Sequence, residues 1–348
     1  FDVYARNKGL CPHMKYPRLC RGMFIFVVGK AGGFCQYYLQ KPESRLYQNA
    51  EKREKHMPFR TDLAAELVAQ APPLHGLEQQ EESFGSLQFH TVRITQEQAA
   101  RRVGKPIGTY VTVTTPPFER GEEITEEELT AIAQRVSEFL PDKGLTLVVG
   151  LGNNDITPDA IGPRTVHQIL ATRHIGEDLK KQVGLEHLRP VAVLAPGVLG
   201  QTGIETSEII QSLVKSVRPD AVVVVDALAA RDANRLGNTI QIANTGISPG
   251  SGVQNSRMEI SQETLGVPVV SIGVPTVIDA TTLASDLLQG EEDIEKCRML
   301  FEPRGTQMMI TPREIDKLIS HACKTLSQAL NKALQPEMTL EEISYLAS

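Results

Sequence analysis

Two aspartates follow apolar runs that are typical of buried strands. Asp226 comes directly after residues 221–225 (AVVVV), and Asp159 lies beyond residues 145–149 and the glycine-containing turn GLGNND. In open α/β sheets, ligands bind outside the carboxyl ends of the strands. Both carboxylates would reach one crevice if the two strands are neighbours. A pair of carboxylates at such a place is suited to general acid–base chemistry.

Each part of this pattern also has a simpler interpretation. The turn after residues 145–149 resembles a dinucleotide-binding turn, but the third glycine of that fingerprint is replaced by Asp155. A carboxylate there would also repel a pyrophosphate. Asp159 alone could cap the following helix, and Asp226 alone could be a hydrogen-bonded residue at the end of a strand. The two aspartates together favour a reactive site over either simpler interpretation.

Composition excludes several classes of protein. The net charge of −6 gives no reason to expect nucleic-acid binding. The apolar run at residues 23–29 (MFIFVVG) is too short to span a bilayer and could at most be the core of a signal peptide. The two cysteines of the body, Cys297 and Cys323, lack metal-type spacing. We therefore expect a cytoplasmic protein without a membrane segment, a direct nucleic-acid partner, a metal or another cofactor.

Residues 1–57 differ from the remainder. They hold 11 of the 36 Lys and Arg residues but only 4 of the 42 Asp and Glu residues. They show neither helical nor strand periodicity. A basic targeting or interaction arm is one interpretation; upstream translated sequence or a propeptide, with Met57 as the natural start, is the one that we favour. We predict that residues 58–348 form a single α/β domain.

Strand and helix patterns alternate along this body, which indicates a central, mostly parallel or mixed sheet with helices on both faces. The predicted strands are residues 87–94, 109–115, 145–149, 191–194, 221–225 and 267–272. The predicted helices are residues 95–103, 122–140, 159–173, 205–217, 276–288 and 312–334. Residues 67–86 read as a polar, proline-containing loop.

Five motifs in order resemble the germination proteases of spore-forming bacteria. They are LVVGLGNNDITPDAIGPRTV, RPVAVLAPGVLGQTGIETSEII, VVVVDALAAR, ISPGSGVQNSR and VPVVSIGVPTVIDA, and the resemblance runs from about residue 60 to residue 334. The first motif is also similar, more distantly, to that of hydrogenase maturation peptidases. The resemblance implies a phosphorylase/hydrolase-like, maturation-peptidase-like α/β fold.

The resemblance also implies an activity. Family members are endopeptidases that begin the degradation of small acid-soluble spore proteins during germination, in the spore core or forespore, and they assemble as homotetramers. Their catalytic aspartates correspond to Asp159 and Asp226. The ionised aspartate would take a proton from the attacking water, and the protonated one would donate to the carbonyl oxygen or the leaving amine. The sequence has no G-x-S-x-G motif that would present a serine nucleophile.

The start of the body, FRTDLAAE (residues 59–66), resembles the sites that these proteases cut. The family cuts after the acidic residue of Thr/Ser–acid–apolar–Ala sequences and removes its own N-terminal segment. Carried over, self-processing would break the Asp62–Leu63 bond, and the mature chain would start at Leu63. An alternative interpretation is a helix N-cap at Thr61 or Asp62.

Cleavage after an acidic residue requires a basic pocket, for which we select Arg231, Arg257 and Arg173. Two other functions stay open. One is a metal-dependent maturation-type peptidase, since the maturation peptidases bind a metal with acids and a histidine. The other is a non-catalytic spore protein that keeps the fold.

Overall fold

The apolar runs of the sequence pair into one nine-stranded mixed sheet. The protein is described from a computed structural model, which covers residues 61–69, 74–248, 258–287 and 308–347. The chain divides into two units, Phe1–Pro58 and Phe59–Ser348, and all of these described residues belong to the second. The strands are β1 (Leu77–Phe84), β2 (Leu87–Ile94), β3 (Gly108–Thr114), β4 (Thr146–Gly150), β5 (Val191–Leu194), β6 (Ala221–Ala230), β7 (Thr239–Ala243), β8 (Val269–Asp279) and β9 (Met309–Ile310).

The sheet has a parallel half and an antiparallel half. Its strand order is β1-β2-β3-β7-β8-β6-β4-β5, with β9 added to β8. Strands β5, β4, β6 and β8 are parallel, whereas β1, β2, β3 and β7 follow one another as antiparallel neighbours. The antiparallel pair of β7 and β8 joins the halves. The near-continuous valines of β6 suit its place in the parallel half, because such strands are covered on both faces.

Helices cover both faces of the sheet, as predicted. They are α1 (Ala64–Val68), α2 (Glu97–Val103), α3 (Glu126–Ser137), α4 (Ile161–Val166), α5 (Glu177–Val183), α6 (Leu199–Thr202), α7 (Thr206–Val217), α8 (Gln262–Leu265), α9 (Ala280–Leu287), α10 (Ile315–Leu334) and α11 (Leu340–Ala347). Short 3-10 turns occupy Phe118–Arg120, Thr157–Asp159 and Ala233–Arg235. In the part of the chain that the structure describes, no helix is long and apolar enough to cross a membrane.

The alternating side chains of β6 show how the two faces are filled. Val223 and Val225 belong to the larger core, which α3, α4 and α10 cover. Val222 and Val224 point the other way and pack with Ile210 of α7. The fold is therefore a three-layer α/β arrangement of the kind that the alternating sequence predicts.

Several predicted elements have different bounds. The predicted helix over residues 159–173 is the turn Thr157–Asp159 followed by the short α4, and the predicted helix from residue 276 is still β8 until Asp279. Residues 67–86, predicted as a loop, contain β1. β1 escaped prediction because nearly all its residues are exposed, so its polar sequence shows no alternation.

Close backbone approach fixes α4 against the sheet. A Cβ atom on Gly162 would lie 2.1 Å from the carbonyl oxygen of Leu151 and 2.6 Å from that of Val225. Both neighbours are backbone atoms, so no side chain can turn away to make room. We expect Gly162→Ala to lower the free energy of unfolding by about 3 kcal/mol, as overpacking does, measured by urea denaturation.

The matched control is Gly176→Ala, at the N-cap of α5. No heavy atom lies within 4 Å of its added Cβ, and φ is −70°. This substitution should lower the free energy of unfolding by no more than about 1 kcal/mol, the scale of replacing glycine by alanine at an N-cap. Equal stability of the two variants would show that α4 does not depend on this contact.

Candidate active site

Asp226 lies in β6 at the level where β4 ends. The last register pair of the two strands joins Gly150 to Val225, and the Leu151 N–H still donates to the Val225 carbonyl at 2.8 Å. Asp226 is the next residue, and only 6% of it is exposed. Its Oδ1 accepts a hydrogen bond from the Ala227 N–H at 2.9 Å. The carboxylate therefore stands at the level where β4 ends, although β6 itself continues to Ala230 and does not end at residue 225 as predicted.

Asp159 reaches the same edge through a loop that folds back on itself. The Asn153 N–H donates to its Oδ2 at 2.7 Å. Gly152 has φ +111°, and a Cβ there would lie 2.1 Å from the Asp159 carbonyl oxygen. A side chain at position 152 would therefore prevent the loop from closing. The N-cap of α4 is Ala160, with no side-chain capping bond, so Asp159 does not serve as the cap of this helix.

The turn that carries Asp159 contacts β6 and β8. The Thr276 hydroxyl of β8 donates to the Pro158 carbonyl at 2.7 Å and ties the turn to the sheet. The structure thus brings Asp159 and Asp226 to one edge of the sheet, from elements 67 residues apart in sequence. Such an edge, where strands end and loops begin, is the usual binding crevice of an α/β sheet.

The predicted processing bond docks on the same strand as Asp226. The Asp62 N–H donates to the Ala229 carbonyl at 2.9 Å, and the Asp62 Oδ2 accepts from the Ala229 N–H at 2.8 Å. Leu63 is fully buried and packs against Leu228 and Ala230. The backbone around the Asp62–Leu63 bond therefore lies against the end of β6, three residues beyond Asp226.

A glutamine that the sequence did not point to holds this bond. The Gln241 Nε2 of β7 donates to the Asp62 carbonyl at 2.9 Å, and its Oε1 accepts from the Ala64 N–H at 2.7 Å. The helix α1 begins after Leu63, which is its N-cap and offers no side-chain capping bond. The alternative prediction of an N-cap at Thr61 or Asp62 is therefore wrong.

Glu66 anchors the first turn of α1 to the end of β6. It is 6% exposed and accepts hydrogen bonds from the N–H groups of Arg231 at 2.9 Å and Asp232 at 3.0 Å. The Thr61 hydroxyl also donates to it, and the Arg235 Nε lies 3.7 Å away. Sequence analysis missed this role, because a glutamate at the start of a helix is ordinary.

The three predicted pocket arginines have different positions. Arg231 directly follows β6, where its backbone N–H serves Glu66. Arg173 is exposed, and its N–H bonds to Val191, the first residue of β5, at the opposite, amino edge of the parallel strands. Arg257 lies outside the described residues.

One cation that interacts electrostatically with Asp62 is a lysine that was not predicted. Lys105 is half-buried and follows the end of α2. Burial lowers the pKa of its ammonium group below the ordinary lysine value, and the Asp62 carboxylate opposes this shift. Acidic side chains thus cluster around the Asp62–Leu63 bond, and Lys105 and Arg235 are among the cations near them. Among residues 61–69, 74–248, 258–287 and 308–347, no group of three or more His, Cys, Asp or Glu side chains could hold a metal ion.

We expect Glu66→Gln to lower the free energy of unfolding by about 2–3 kcal/mol, because a buried carboxylate loses its charge opposite Arg235 and one of its acceptors. Thermal unfolding of the purified chain measures the change. The control is Glu97→Gln, whose side chain is 74% exposed and whose change should stay within about 0.5 kcal/mol. Equal losses in the two variants would contradict an anchoring role for Glu66.

Comparisons with known proteins identify the family. The family model described as "Germination protease" matches residues 60–290. A germination protease of Clostridium perfringens (strain ATCC 13124) is 44% identical over 280 residues, which cover 73% of this chain and 86% of that protein. One from Caldanaerobacter subterraneus subsp. tengcongensis is 41% identical over 317 residues, 83% of this chain and 98% of that protein.

A Bacillus pumilus germination protease is 37% identical over 356 residues, 82% of this chain and 95% of that protein. Among solved structures, the NiFe hydrogenase maturation protease HycI from Thermococcus kodakarensis KOD1 aligns with a TM-score of 0.31 and 17% identity, over 56% of this chain and 98% of that one. The family model and the sequence relatives together show that this chain belongs to the germination protease family and is a peptidase.

Proposed function

We propose that this peptidase initiates the degradation of small acid-soluble spore proteins during germination. It cuts after an acidic residue in Thr/Ser–acid–apolar–Ala sequences and is made as a zymogen that processes itself. The observation that carries this proposal is the docking of the Asp62–Leu63 bond on β6, the strand that also bears Asp226. A copy of the proposed target sequence is thus bound beside the proposed catalytic groups.

In the proposed mechanism, Asp159 and Asp226 act on a water molecule without a covalent intermediate. Two carboxylates in one crevice share a proton, because both cannot ionise easily at short range. The ionised member removes a proton from the water as its oxygen attacks the scissile carbonyl carbon. The protonated member donates to the departing amine as the C–N bond breaks.

The surroundings of the two aspartates support this division of work. Asp226 is buried, which favours a carboxyl group that keeps its proton. Asp159 is only half-buried, so its charged form is penalised less. Each carboxylate accepts one backbone N–H, Asp159 from Asn153 and Asp226 from Ala227, so burial is what distinguishes the two. We therefore assign the general base to Asp159 and the general acid to Asp226.

Cysteine chemistry has no support in the described residues. Cys323 is buried in α10, and its thiol donates to the Ile161 carbonyl at 3.6 Å. Burial raises the pKa of this thiol, which disfavours the thiolate that a nucleophile requires. Cys297 lies outside the described residues.

The substrate proteins fit this site if they are extended when they bind. The backbone of Asp62 is held by Ala229 as a strand neighbour would be, a mode of recognition that depends on main-chain bonds more than on side chains. We also propose a homotetramer in the cytoplasm of the forespore and spore core, on the basis of the family resemblance.

The test compares the full chain with a chain that begins at Leu63, each as wild type, Asp159→Asn and Asp226→Asn. Each is mixed with a purified small acid-soluble spore protein, and the fragments are identified by mass spectrometry. Only the wild-type chain that begins at Leu63 should cut at once, after an acidic residue. The two Asn variants should lose about 1,000-fold in rate, the scale of general acid–base catalysis.

The matched control is Asp155→Asn. Asp155 is exposed in the same loop as Asp159 and accepts a bond from Gln201, so its loss should leave the rate within about 3-fold. Full activity in either dyad variant would exclude the two-aspartate mechanism. Cleavage by no variant and no wild-type chain would exclude the proposed function.

A further inference from the structure

Gln241 is a polar residue in the middle of a buried strand. It is 8% exposed in β7, between Ile240 and Ile242, which are fully buried. A buried amide requires hydrogen-bond partners, and Gln241 finds them on the backbone around the Asp62–Leu63 bond. Its donor end contacts the Asp62 carbonyl oxygen and its acceptor end the Ala64 N–H. One planar side chain therefore binds the peptide on both sides of the bond.

Gln241 is level with Asp226 across the sheet. Gln241 pairs in register with Gly273 of β8, and Gly273 pairs in register with Asp226 of β6. Register neighbours project from the same face of a sheet. Gly273 carries no side chain, and a Cβ there would lie 2.8 Å from the Leu228 Cγ. The Gln241 amide and the Asp226 carboxylate therefore project from the same face of the sheet. β8 lies between them, and its residue at this level, Gly273, has no side chain.

Lys105 is on the Asp62 side of the Asp62–Leu63 bond. Helix α1 starts directly after Leu63, and its Ala64 and Val68 pack against Ala99 and Val103 of α2. Lys105 comes two residues after the end of α2, and the Asp62 carboxylate acts on its ammonium group. The packing of α1 on α2 thus places the segment that carries Lys105 near Asp62, the residue before the bond.

We propose that Gln241 is a catalytic residue that binds the scissile carbonyl oxygen, and that Lys105 determines the preference for an acidic residue before the cut. The inference rests on the proposed function and deepens it. When water attacks, the carbonyl π electrons move to the oxygen, and the Gln241 Nε2 donates to that developing oxyanion. Its Oε1 accepts from Ala64, the second residue after the bond, and so holds the peptide in register. The ligand is an extended peptide with an acidic side chain, first in self-processing and then in substrate.

An oxyanion donor is worth more in the transition state than in the ground state. Gln241→Glu keeps the acceptor for the Ala64 N–H but replaces the donor with an oxygen. We expect this substitution to lower kcat by about 100- to 1,000-fold with little change in KM. Both self-processing of the full chain and cleavage of a Thr-Glu-Ile-Ala peptide should slow together.

The control is Gln134→Glu on α3, the same change at an exposed position, which should cut at the wild-type rate. Thermal unfolding of both variants checks that they are folded. Wild-type kcat in Gln241→Glu would overturn the assignment. So would a loss confined to KM, since it would mean that Gln241 contributes only to binding.

The role of Lys105 is tested by the ratio of kcat/KM for two peptide substrates. Peptides that contain Thr-Glu-Ile-Ala and Thr-Gln-Ile-Ala are compared by kcat/KM, a ratio that does not depend on how much of a variant is folded. We expect Lys105→Gln to reduce the preference for glutamate by about 10- to 100-fold, the scale of a charge-assisted hydrogen bond. Lys105→Arg should retain it, and Arg102→Gln, at an exposed position of α2, should leave it unchanged.

The outcomes separate this inference from the proposed function. An unchanged preference in Lys105→Gln would exclude Lys105 as the specificity residue, even with a wild type that cuts normally. Activity lost in Asp226→Asn but kept in Gln241→Glu would support the catalytic role of the aspartates and exclude the proposed role of Gln241. A wild-type chain that cuts neither peptide would reject the proposed function and this inference with it.

Discussion

The unequal lengths of β4 and β6 are the constraint on which the site depends. β4 ends at Gly150, whereas β6 continues to Ala230 beside β8. A backbone N–H or C=O in a buried strand requires a partner, so β6 needs new partners once β4 has ended. The Leu151 N–H provides one for Val225, and Asp62 provides two for Ala229. The same mismatch therefore creates the crevice beside Asp226 and the place where the N-terminal segment docks.

The acids of this region share a mode of stabilisation. Asp62, Asp159, Asp226 and Glu66 each accept a hydrogen bond from a backbone N–H group. Backbone amides stabilise a carboxylate without adding a full positive charge nearby. Lys105 and Arg235 are among the cations of the region, through Asp62 and Glu66 respectively.

Much of the fold follows from the sequence because apolar runs mark buried strands. β2 and β5 have the predicted bounds, and β6 begins at the predicted Ala221. The continuation of β6 through Ala227–Ala230 was not predicted, because alanine and leucine fit a helix as well as a strand. The length of α4 was also predicted wrongly. Residues 159–173 were predicted as one helix, but α4 spans only Ile161–Val166.

The sequence pointed to the proposed catalytic aspartates because they lie in motifs, but not to residues that act at a distance in sequence. Asp159 lies in the turn beyond β4 and Asp226 directly follows the valines of β6, so their positions along the chain indicated them. Gln241 contacts residues that precede it by 177 and 179 positions, and no local pattern encodes such a contact. Lys105 likewise resembles any lysine after a helix. Their roles depend on how α1 packs, which is a property of the whole fold.

The complete burial of Leu63 has a thermodynamic consequence for the proposed processing step. Hydrolysis of the Asp62–Leu63 bond would create a carboxylate at Asp62 and an ammonium ion at Leu63, whose side chain packs against Leu228 and Ala230. Two new charges beside a fully buried side chain are disfavoured relative to water. The new terminus would therefore move out to become hydrated, and re-ligation would become unfavourable. Its departure would leave the Gln241 amide free to bind a second peptide. A single cut would therefore convert the enzyme irreversibly from a form that holds its own N-terminal segment to a form that can bind substrate.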